Sequence, residues 1–187
     1  MSYLKLRSLL MVVMGLFILA MSIQPKTSFA ASATEINIGV DETLKRFQDK
    51  VPGGAEFLAK AKGVLVFPKV LKAGFWIGGE YGEGALRIDG MTKAYYSTAA
   101  ASIGLQAGAQ SKSVVLVFMT DDALVKFQQN KGWKAGVDGS VALVEWGAGE
   151  DINTIDIADP IVGFVFSNKG LMFNLTLEGS KFTKIVK

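Results

Sequence analysis

The 187-residue sequence contains neither cysteine nor histidine. Without cysteine the chain has no disulfide framework, no thiol nucleophile and no thioether site for lipid attachment. Without histidine it has no imidazole base and no imidazole metal ligand, so no serine can be activated in a Ser-His-Asp arrangement. The fold must therefore be stabilised by packing alone, and the commonest catalytic and metal-binding devices are excluded.

Long apolar runs are also scarce, and the one at the N-terminus is short. Lys5 and Arg7 precede an apolar run over residues 9–21, and Ser28-Phe29-Ala30 supplies small residues at the two positions that a signal peptidase reads. An apolar core of about 13 residues is shorter than the roughly 20 that a spanning helix needs. Residues 1–30 are therefore predicted to be a secretory signal peptide.

The segment that follows has no excess of either charge. Three of the 20 basic residues and none of the 17 acidic ones lie in residues 1–30, which leaves equal numbers of both signs in the remainder. This balance argues against nucleic acid as a partner. We expect the mature chain to begin at Ala31, or at Thr34 if cleavage follows Ala33. Residues 31–187 are then predicted to form a single domain in the periplasm or outside the cell.

Helical periodicity marks the start of this domain and one later segment. Apolar residues recur at spacings of four, three and four, which predicts an amphipathic helix. They are Val40, Leu44, Phe47 and Val51. Pro52 should end this helix, a second helical piece is expected at 55–61, and Thr120 supplies an N-capping oxygen for a short helix near 121–130.

The rest of the domain has the pattern of strands joined by turns. Residues 104–110 alternate apolar and polar side chains, whereas residues 114–119 are uninterruptedly apolar, which predicts a strand buried on both faces. We expect a hairpin turn at Ser111-Lys112 between them. Shorter strands are expected at 64–67, 140–146, 161–166, 171–177 and 182–186, with a loop at 147–160. The fold class is α+β, with N-terminal helices packed on an antiparallel sheet that curls toward a barrel.

Two charge clusters interrupt the overall balance. Residues 45–72 hold seven basic residues and two acids, and residues 145–159 hold five acids and no base. The basic residues are Lys45, Arg46, Lys50, Lys60, Lys62, Lys69 and Lys72. They fit an anionic surface such as lipid headgroups, and equally a solvated face that keeps a helix soluble. Asp151 and Asn153 have the alternate spacing of a calcium loop, but the glycine and bidentate glutamate of that loop are missing, so we predict no metal.

An aromatic group near the glycine-rich segment is the second candidate surface. Its members are Phe75, Trp76, Tyr81, Tyr95 and Tyr96. Such a group can line an acyl-chain pocket, anchor at a bilayer interface or belong to the core. Phe75, Trp76 and Tyr96 join the basic residues as candidate lipid-binding residues.

The sequence gives little support to an enzymatic function. The glycines at 78–84 lack the Lys-Ser/Thr ending of a phosphate-binding loop, and sheet curvature explains them better. The sequence does not exclude a catalytic site built on carboxylates. Its candidate residues are Glu80, Glu83 and Arg87. We predict a protein that is not an enzyme and has no catalytic residue and no cofactor.

Five ordered segments resemble the SYLF domain, a lipid-binding domain. They are 61–86, 104–110, 116–127, 136–143 and 170–182, and the resemblance extends from about Asp41 to Ile185. It implies a non-enzymatic, membrane-associated role, because eukaryotic SYLF domains bind phosphoinositides and in some cases actin. In those relatives a basic amphipathic N-terminal helix contributes to the membrane contact, and the helix with Lys45, Arg46 and Lys50 matches it here.

The chain departs from the family at one place. A Gly-Pro-x-Gly-Arg segment is frequent after the block at 136–143, where this chain has acids at Glu145 and Glu150. Export would also remove actin and phosphoinositides as natural partners. The expected partner is therefore an anionic phospholipid or a membrane surface, and the alternative is a protein of the cell envelope.

Overall fold

A computed structural model describes residues 30–144, 152, 159–167, 170–171 and 177–187, without the side chains of 73–77, 102–110, 167 and 170–171. The helices are α1 (Ala33–Lys50), α2 (Gly54–Ala59) and α3 (Asp121–Gln129). The strands are β1 (Gly63–Ile88), β2 (Met91–Phe118), β3 (Trp133–Lys134), β4 (Ala142–Leu143), β5 (Ile161–Ser167), β6 (Gly170–Leu171) and β7 (Lys181–Ile185). None of the helices in the described ranges is long and apolar enough to cross a membrane.

The expected helices are confirmed, and their caps explain where they begin. Ser32 caps α1, because its side chain accepts from the Glu35 amide while the Glu35 carboxylate accepts from the Ser32 amide, which is a capping box. Thr120 caps α3 by accepting from the Ala123 amide. Gly53 has a φ of 72° and supplies the left-handed residue between α1 and α2.

Strands β1 and β2 form one long antiparallel hairpin, which corrects an expectation from the sequence. The hairpin turns at Asp89 and Gly90, whose φ values are 51° and 74°. Ser111 and Lys112, where we expected the turn, lie inside β2. A tight hairpin turn of this type needs positive φ at both central residues, and Asp-Gly adopts it far more readily than Ser-Lys.

Strand β1 folds back on itself, so the expected curl of the sheet is confirmed. A Cβ atom added to Gly82 would lie 2.8 Å from the Lys69 carbonyl oxygen, and one added to Gly84 would overlap the Val66 carbonyl oxygen. Thirteen residues of straight strand would separate residues 69 and 82 by about 43 Å. Only residues without a side chain allow two backbones to approach so closely. A bulge at Pro68 adds to the bend, since proline has no amide for the ladder.

Because the sheet curls, β2 pairs with different strands in two parts of its length. Residues 95–99 of β2 pair with β7, and residues 113–118 pair with β5. The order along the described sheet is β3-β7-β2-β5-β4, with β1 on β2 and β6 on β5. The pair β4–β5 is parallel, so the sheet is antiparallel except at this edge. Of the strands expected at 140–146 and 171–177, the structure describes only parts, and the expected loop at 147–160 lies mostly outside the described residues.

The sheet is buried on both faces, as expected for residues 114–119. The inner cluster contains Leu65, Phe67, Leu116, Phe118, Phe127, Trp133 and Phe182 among others. The outer cluster lies under α1 and α2 and contains Val64, Val66, Val115, Val117, Phe47, Phe164 and Phe166 among others. Successive residues of one strand alternate between the clusters because side chains in a strand point to opposite faces.

Candidate functional site

Arg46 holds α1 on the sheet. Its Nη2 donates to the Ser113 hydroxyl oxygen at 2.6 Å, and the hydroxyl in turn donates to the Pro68 carbonyl oxygen at 2.6 Å. The guanidinium carbon lies 5.9 Å from the centre of the Phe166 ring, within the range of a cation–π contact. Arg46 is half-buried, so the structure uses it to dock the helix, although the sequence suggested a surface role.

Four of the predicted basic residues form a solvated group at the ends of α1 and α2. They are Lys45, Lys50, Lys60 and Lys62, and all are exposed. Lys45 is bonded to Asp49 one turn later at 2.9 Å, and the Lys62 ammonium lies 3.7 Å from the Asp121 carboxylate. Exposed pairs of this kind contribute little to stability. Lys45 and Lys62 can therefore exchange these partners for an outside anion at small cost, and we call the four residues the helix-end lysines.

A second basic group surrounds a sharp bend of the long hairpin. The Glu80 carboxylate lies 2.6 Å from the Lys112 ammonium and 4.0 Å from that of Lys72, and Glu80 and Lys112 are 15% and 13% exposed in their side chains. Residues 72 and 80 would stand about 26 Å apart on a straight strand. The chain must therefore turn between them. We call residues 73–79 with their β2 partners 101–109 the hairpin bend.

The hairpin bend contains two of the predicted aromatic residues. Phe75 and Trp76 lie in its β1 segment, where a bulge separates the pairs Gly74–Gly108 and Trp76–Gly104. Their side chains lie outside the described part. Lys69 is exposed and precedes the bend. The topology thus brings Lys69, Lys72 and Lys112 to the base of a bend that carries Phe75 and Trp76. Sequence reasoning missed Lys112, because the register of β1 and β2 places it beside Lys72 and the misplaced hairpin turn hid this pairing.

Tyr96 belongs to the core. It is 1% exposed, and its ring centre lies 5.0 Å from that of Phe127. Burial raises the pKa of its phenol. Tyr95 is half-buried and accepts a hydrogen bond from Asn37 of α1 at 2.9 Å. The five aromatic residues therefore do not form one surface.

The three residues considered for a carboxylate site are not brought together. Glu80 pairs with Lys112, Arg87 with Asp41 at 2.6 Å, and Glu83 with Lys187 at 2.7 Å. Among the described residues no group of three Asp or Glu could hold a metal ion. Asp151 and Asn153, which have the spacing of a calcium loop, lie outside the described residues.

A small cavity opens near β4, far in sequence from the hairpin bend. Its volume is about 190 Å³, and its lining includes Val141, Leu143 and Leu177. Pockets for drug-sized ligands usually enclose about 300–1,000 Å³. This cavity is too small to enclose a whole acyl chain.

Comparison with protein families identifies the C-terminal part of the chain. Residues 99–185 match the model of the Ysc84 family, described as "Las17-binding protein actin regulator". This is the family of the SYLF domain, so the resemblance seen in the sequence is confirmed over these residues. A comparison with curated proteins finds no match.

Proposed function

With residues 99–185 assigned to the Ysc84 family, we propose that this protein is exported and binds an anionic lipid or membrane surface without catalysis. The family description names actin regulation, which takes place in the cytosol of eukaryotic cells. The signal sequence predicted at 1–30 would deliver this chain elsewhere. We therefore propose that this chain shares the family's binding of lipids and not its regulation of actin.

The hairpin bend is the observation that carries this proposal. It combines Phe75 and Trp76 with Lys69, Lys72 and Lys112 at its base. Tryptophan and phenylalanine are favoured at a bilayer interface, and each lysine near an anionic surface contributes about 1 kcal/mol. The Glu80 carboxylate offsets one of the three positive charges, which leaves a net charge of two at the base.

The helix-end lysines supply a second attractive group. Two of them, Lys45 and Lys62, pair with the carboxylates of Asp49 and Asp121, and both of these acids are exposed. The apolar face of α1 is already used by the sheet, with Ile36, Val40 and Phe47 buried. In this protein α1 therefore contributes charge to a membrane contact, while insertion of apolar side chains falls to the hairpin bend.

Vesicle co-sedimentation of the purified protein tests the proposal. We expect more binding to vesicles of phosphatidylcholine with phosphatidylglycerol or cardiolipin than to phosphatidylcholine alone. Substituting both Phe75→Ser and Trp76→Ser should lower the bound fraction severalfold. The control is Val125→Ser, which removes an apolar side chain that is 47% exposed on α3.

Two outcomes would contradict the proposal. Equal loss of binding in the Val125→Ser control would show that the aromatic residues have no special role. Absence of binding to any vesicle would favour the alternative, an envelope protein as partner of the same basic and aromatic groups.

A further inference from the structure

The side chains of Glu83, Tyr81 and Lys187 converge on the backbone of Ala31. The Ala31 nitrogen donates to Glu83 Oε2 at 2.9 Å, and the Lys187 ammonium donates to the same oxygen at 2.7 Å and to the Ala31 carbonyl oxygen at 2.8 Å. The Tyr81 hydroxyl donates to Glu83 Oε1 at 2.9 Å. Both backbone polar groups of a single residue are thus bound by residues 52 and 156 positions away.

The carboxylate of this cluster is enclosed by its partners near the protein surface. The side chains of Glu83 and Lys187 are 7% and 9% exposed. Burial alone would raise the pKa of Glu83, but the hydrogen bonds from Lys187, Tyr81 and Ala31 outweigh it and hold that pKa below its ordinary value. A buried anion is stable only when its partners satisfy it, and the Ala31 nitrogen is one of three here.

Ala31 is also the residue at which we predict the mature chain to begin. Cleavage adds water across the Ala30–Ala31 peptide bond, so Ala30 becomes a carboxylate and the Ala31 nitrogen takes up protons to become an ammonium. We propose that Glu83, held in place by Tyr81 and Lys187, forms a binding site for this new α-ammonium group and that processing after Ala30 completes the docking of α1. This inference rests on the export part of the proposed function and not on lipid binding.

The cluster lies next to the N-terminus of α1, where the charge of a bound group affects the stability of the helix. Ala31 directly precedes Ser32, the N-cap of α1. A positive charge at the N-terminus of a helix opposes the helix dipole, so an ammonium at this point needs a nearby anion. Glu83 supplies that anion from β1. Cleavage after Ala33 would remove both Ala31 and the capping box, so the structure favours Ala31 as the first residue over Thr34.

The test uses the full chain, expressed and exported with its own N-terminus. Intact mass should show a first residue at Ala31, and a chain that begins at Thr34 or retains residues 1–30 would overturn the proposal. Acetylation of the α-amine keeps one N–H for Glu83 and removes the positive charge, so the Tm should then fall by about 2–4 °C, as expected for a loss of about 1 kcal/mol in a domain of this size. In Glu83→Gln the same acetylation should change the Tm by less than about 1 °C.

Glu80→Gln is the matched control, because it neutralises another buried glutamate of β1 that does not contact Ala31. It should keep the full acetylation effect. Equal effects of acetylation in the wild type and in Glu83→Gln would overturn the proposal. If Glu83→Gln does not fold, an NMR titration of the wild-type Ala31 amine replaces it.

That titration has its own clear outcome. Glu83 should raise the pKa of the α-ammonium above the usual 7.7–8.0 or so against the opposing effects of the Lys187 ammonium and the helix dipole, and a value within or below that range would overturn the proposal. These experiments need no vesicle. A failure of lipid binding would therefore leave the N-terminal site intact, and a failure here would leave lipid binding untouched.

Discussion

Glycine at position 84 illustrates how a single residue sets the curl of the sheet. A Cβ atom there would overlap the Val66 carbonyl oxygen and approach the Phe67 ring at 2.7 Å. Neither neighbour can move easily, because both residues are 0% exposed. The absence of a side chain is therefore a packing requirement where two parts of β1 cross.

We predict that Gly84→Ala destabilises the protein by about 3 kcal/mol, because the added methyl group must push backbone atoms apart. Urea unfolding followed by tryptophan fluorescence measures the change. Gly79→Ala is the control, since its nearest neighbour would be the Ala100 carbonyl oxygen at an ordinary 3.7 Å. It should change stability by about 0.5 kcal/mol or less. Similar losses in both variants would disprove the proposed crossing.

Glu83 makes stability depend on pH in a defined direction. Its pKa in the folded protein is lowered below the ordinary value of 4.5, since donors from Lys187, Tyr81 and Ala31 outweigh burial. A carboxyl with a lowered pKa stabilises the fold above the ordinary pKa and loses this contribution as the pH falls through the folded value.

We therefore predict that the stability difference between wild type and Glu83→Gln is largest near pH 7 and shrinks as the pH falls below about 4.3, the usual glutamate value. Denaturant unfolding at several pH values from 7 to 3 gives the profile. A difference that stays constant over this range would show that the Glu83 charge is not used in the folded state.

The docking of α1 depends on one basic residue more than on its neighbours. Arg46 contacts Ser113 and the Phe166 ring, whereas Lys45 pairs with Asp49 in solvent. The two adjacent residues face different surroundings because one helical residue advances the side chain by about 100°. In the sequence Lys45 and Arg46 are equivalent as basic residues. Only the contacts in the structure show that their roles differ.

We predict that Arg46→Met costs about 2 kcal/mol of stability, because it removes a charged hydrogen bond and a cation–π contact. Lys45→Met should cost about 0.5 kcal/mol or less, as expected for an exposed pair on a helix. Thermal unfolding of both variants gives the comparison. A loss at Lys45 equal to that at Arg46 would contradict this assignment of roles.

The elements show which parts of the fold could be read from the sequence. Local signals were sufficient for α1 and α3, since the apolar spacing around Phe47 and the capping oxygen of Thr120 are nearest-neighbour effects. The hairpin turn was misplaced, because Ser111-Lys112 separates two segments of different pattern that in fact form one strand. The pattern changes along β2 because residues 113–118 pair with β5 as well as β1, whereas residues 104 and 108–110 pair, among the described strands, with β1.

The candidate site was harder to predict than the fold. The pairing of Glu80 with Lys72 and Lys112 and the contact of Ala31 with Glu83 join residues far apart in the chain. The contacts of Glu80 exist because β1 bends back on itself, and the contact of Ala31 exists because α1 packs on β1; no local pattern encodes either arrangement. For the same reason Tyr96 looked like a surface aromatic residue, although the curl encloses it.

At the scale of the whole molecule the basic residues fall into two groups with different surroundings. The helix-end lysines stand in solvent, while Lys72 and Lys112 share the buried Glu80 carboxylate. Any attraction to an anionic surface must therefore be strongest where both groups face it together. Their separate contributions can be measured because Lys45, Lys50 and Lys69 are exposed, and the carboxylate that pairs with Lys45 is exposed as well.

We predict that Lys45→Glu with Lys50→Glu lowers binding to phosphatidylglycerol vesicles and leaves binding to phosphatidylcholine vesicles nearly unchanged. Each base near the surface contributes about 1 kcal/mol, or about a factor of five in affinity. Arg46 stays in place so that α1 remains docked. Raising the salt from 0.1 to 1 M shortens the Debye length from about 10 to about 3 Å, and this should weaken the wild type more than the variant.

Lys93→Glu is the control for that prediction, because Lys93 is exposed near the hairpin turn and belongs neither to the hairpin bend nor to the helix-end lysines. It should bind almost as the wild type does. If the double variant keeps its preference for phosphatidylglycerol and Lys69→Glu removes it, the contact lies at the hairpin bend alone. If neither substitution changes binding and salt has no effect, charge does not drive the association, and the interfacial aromatic residues Phe75 and Trp76 must account for it.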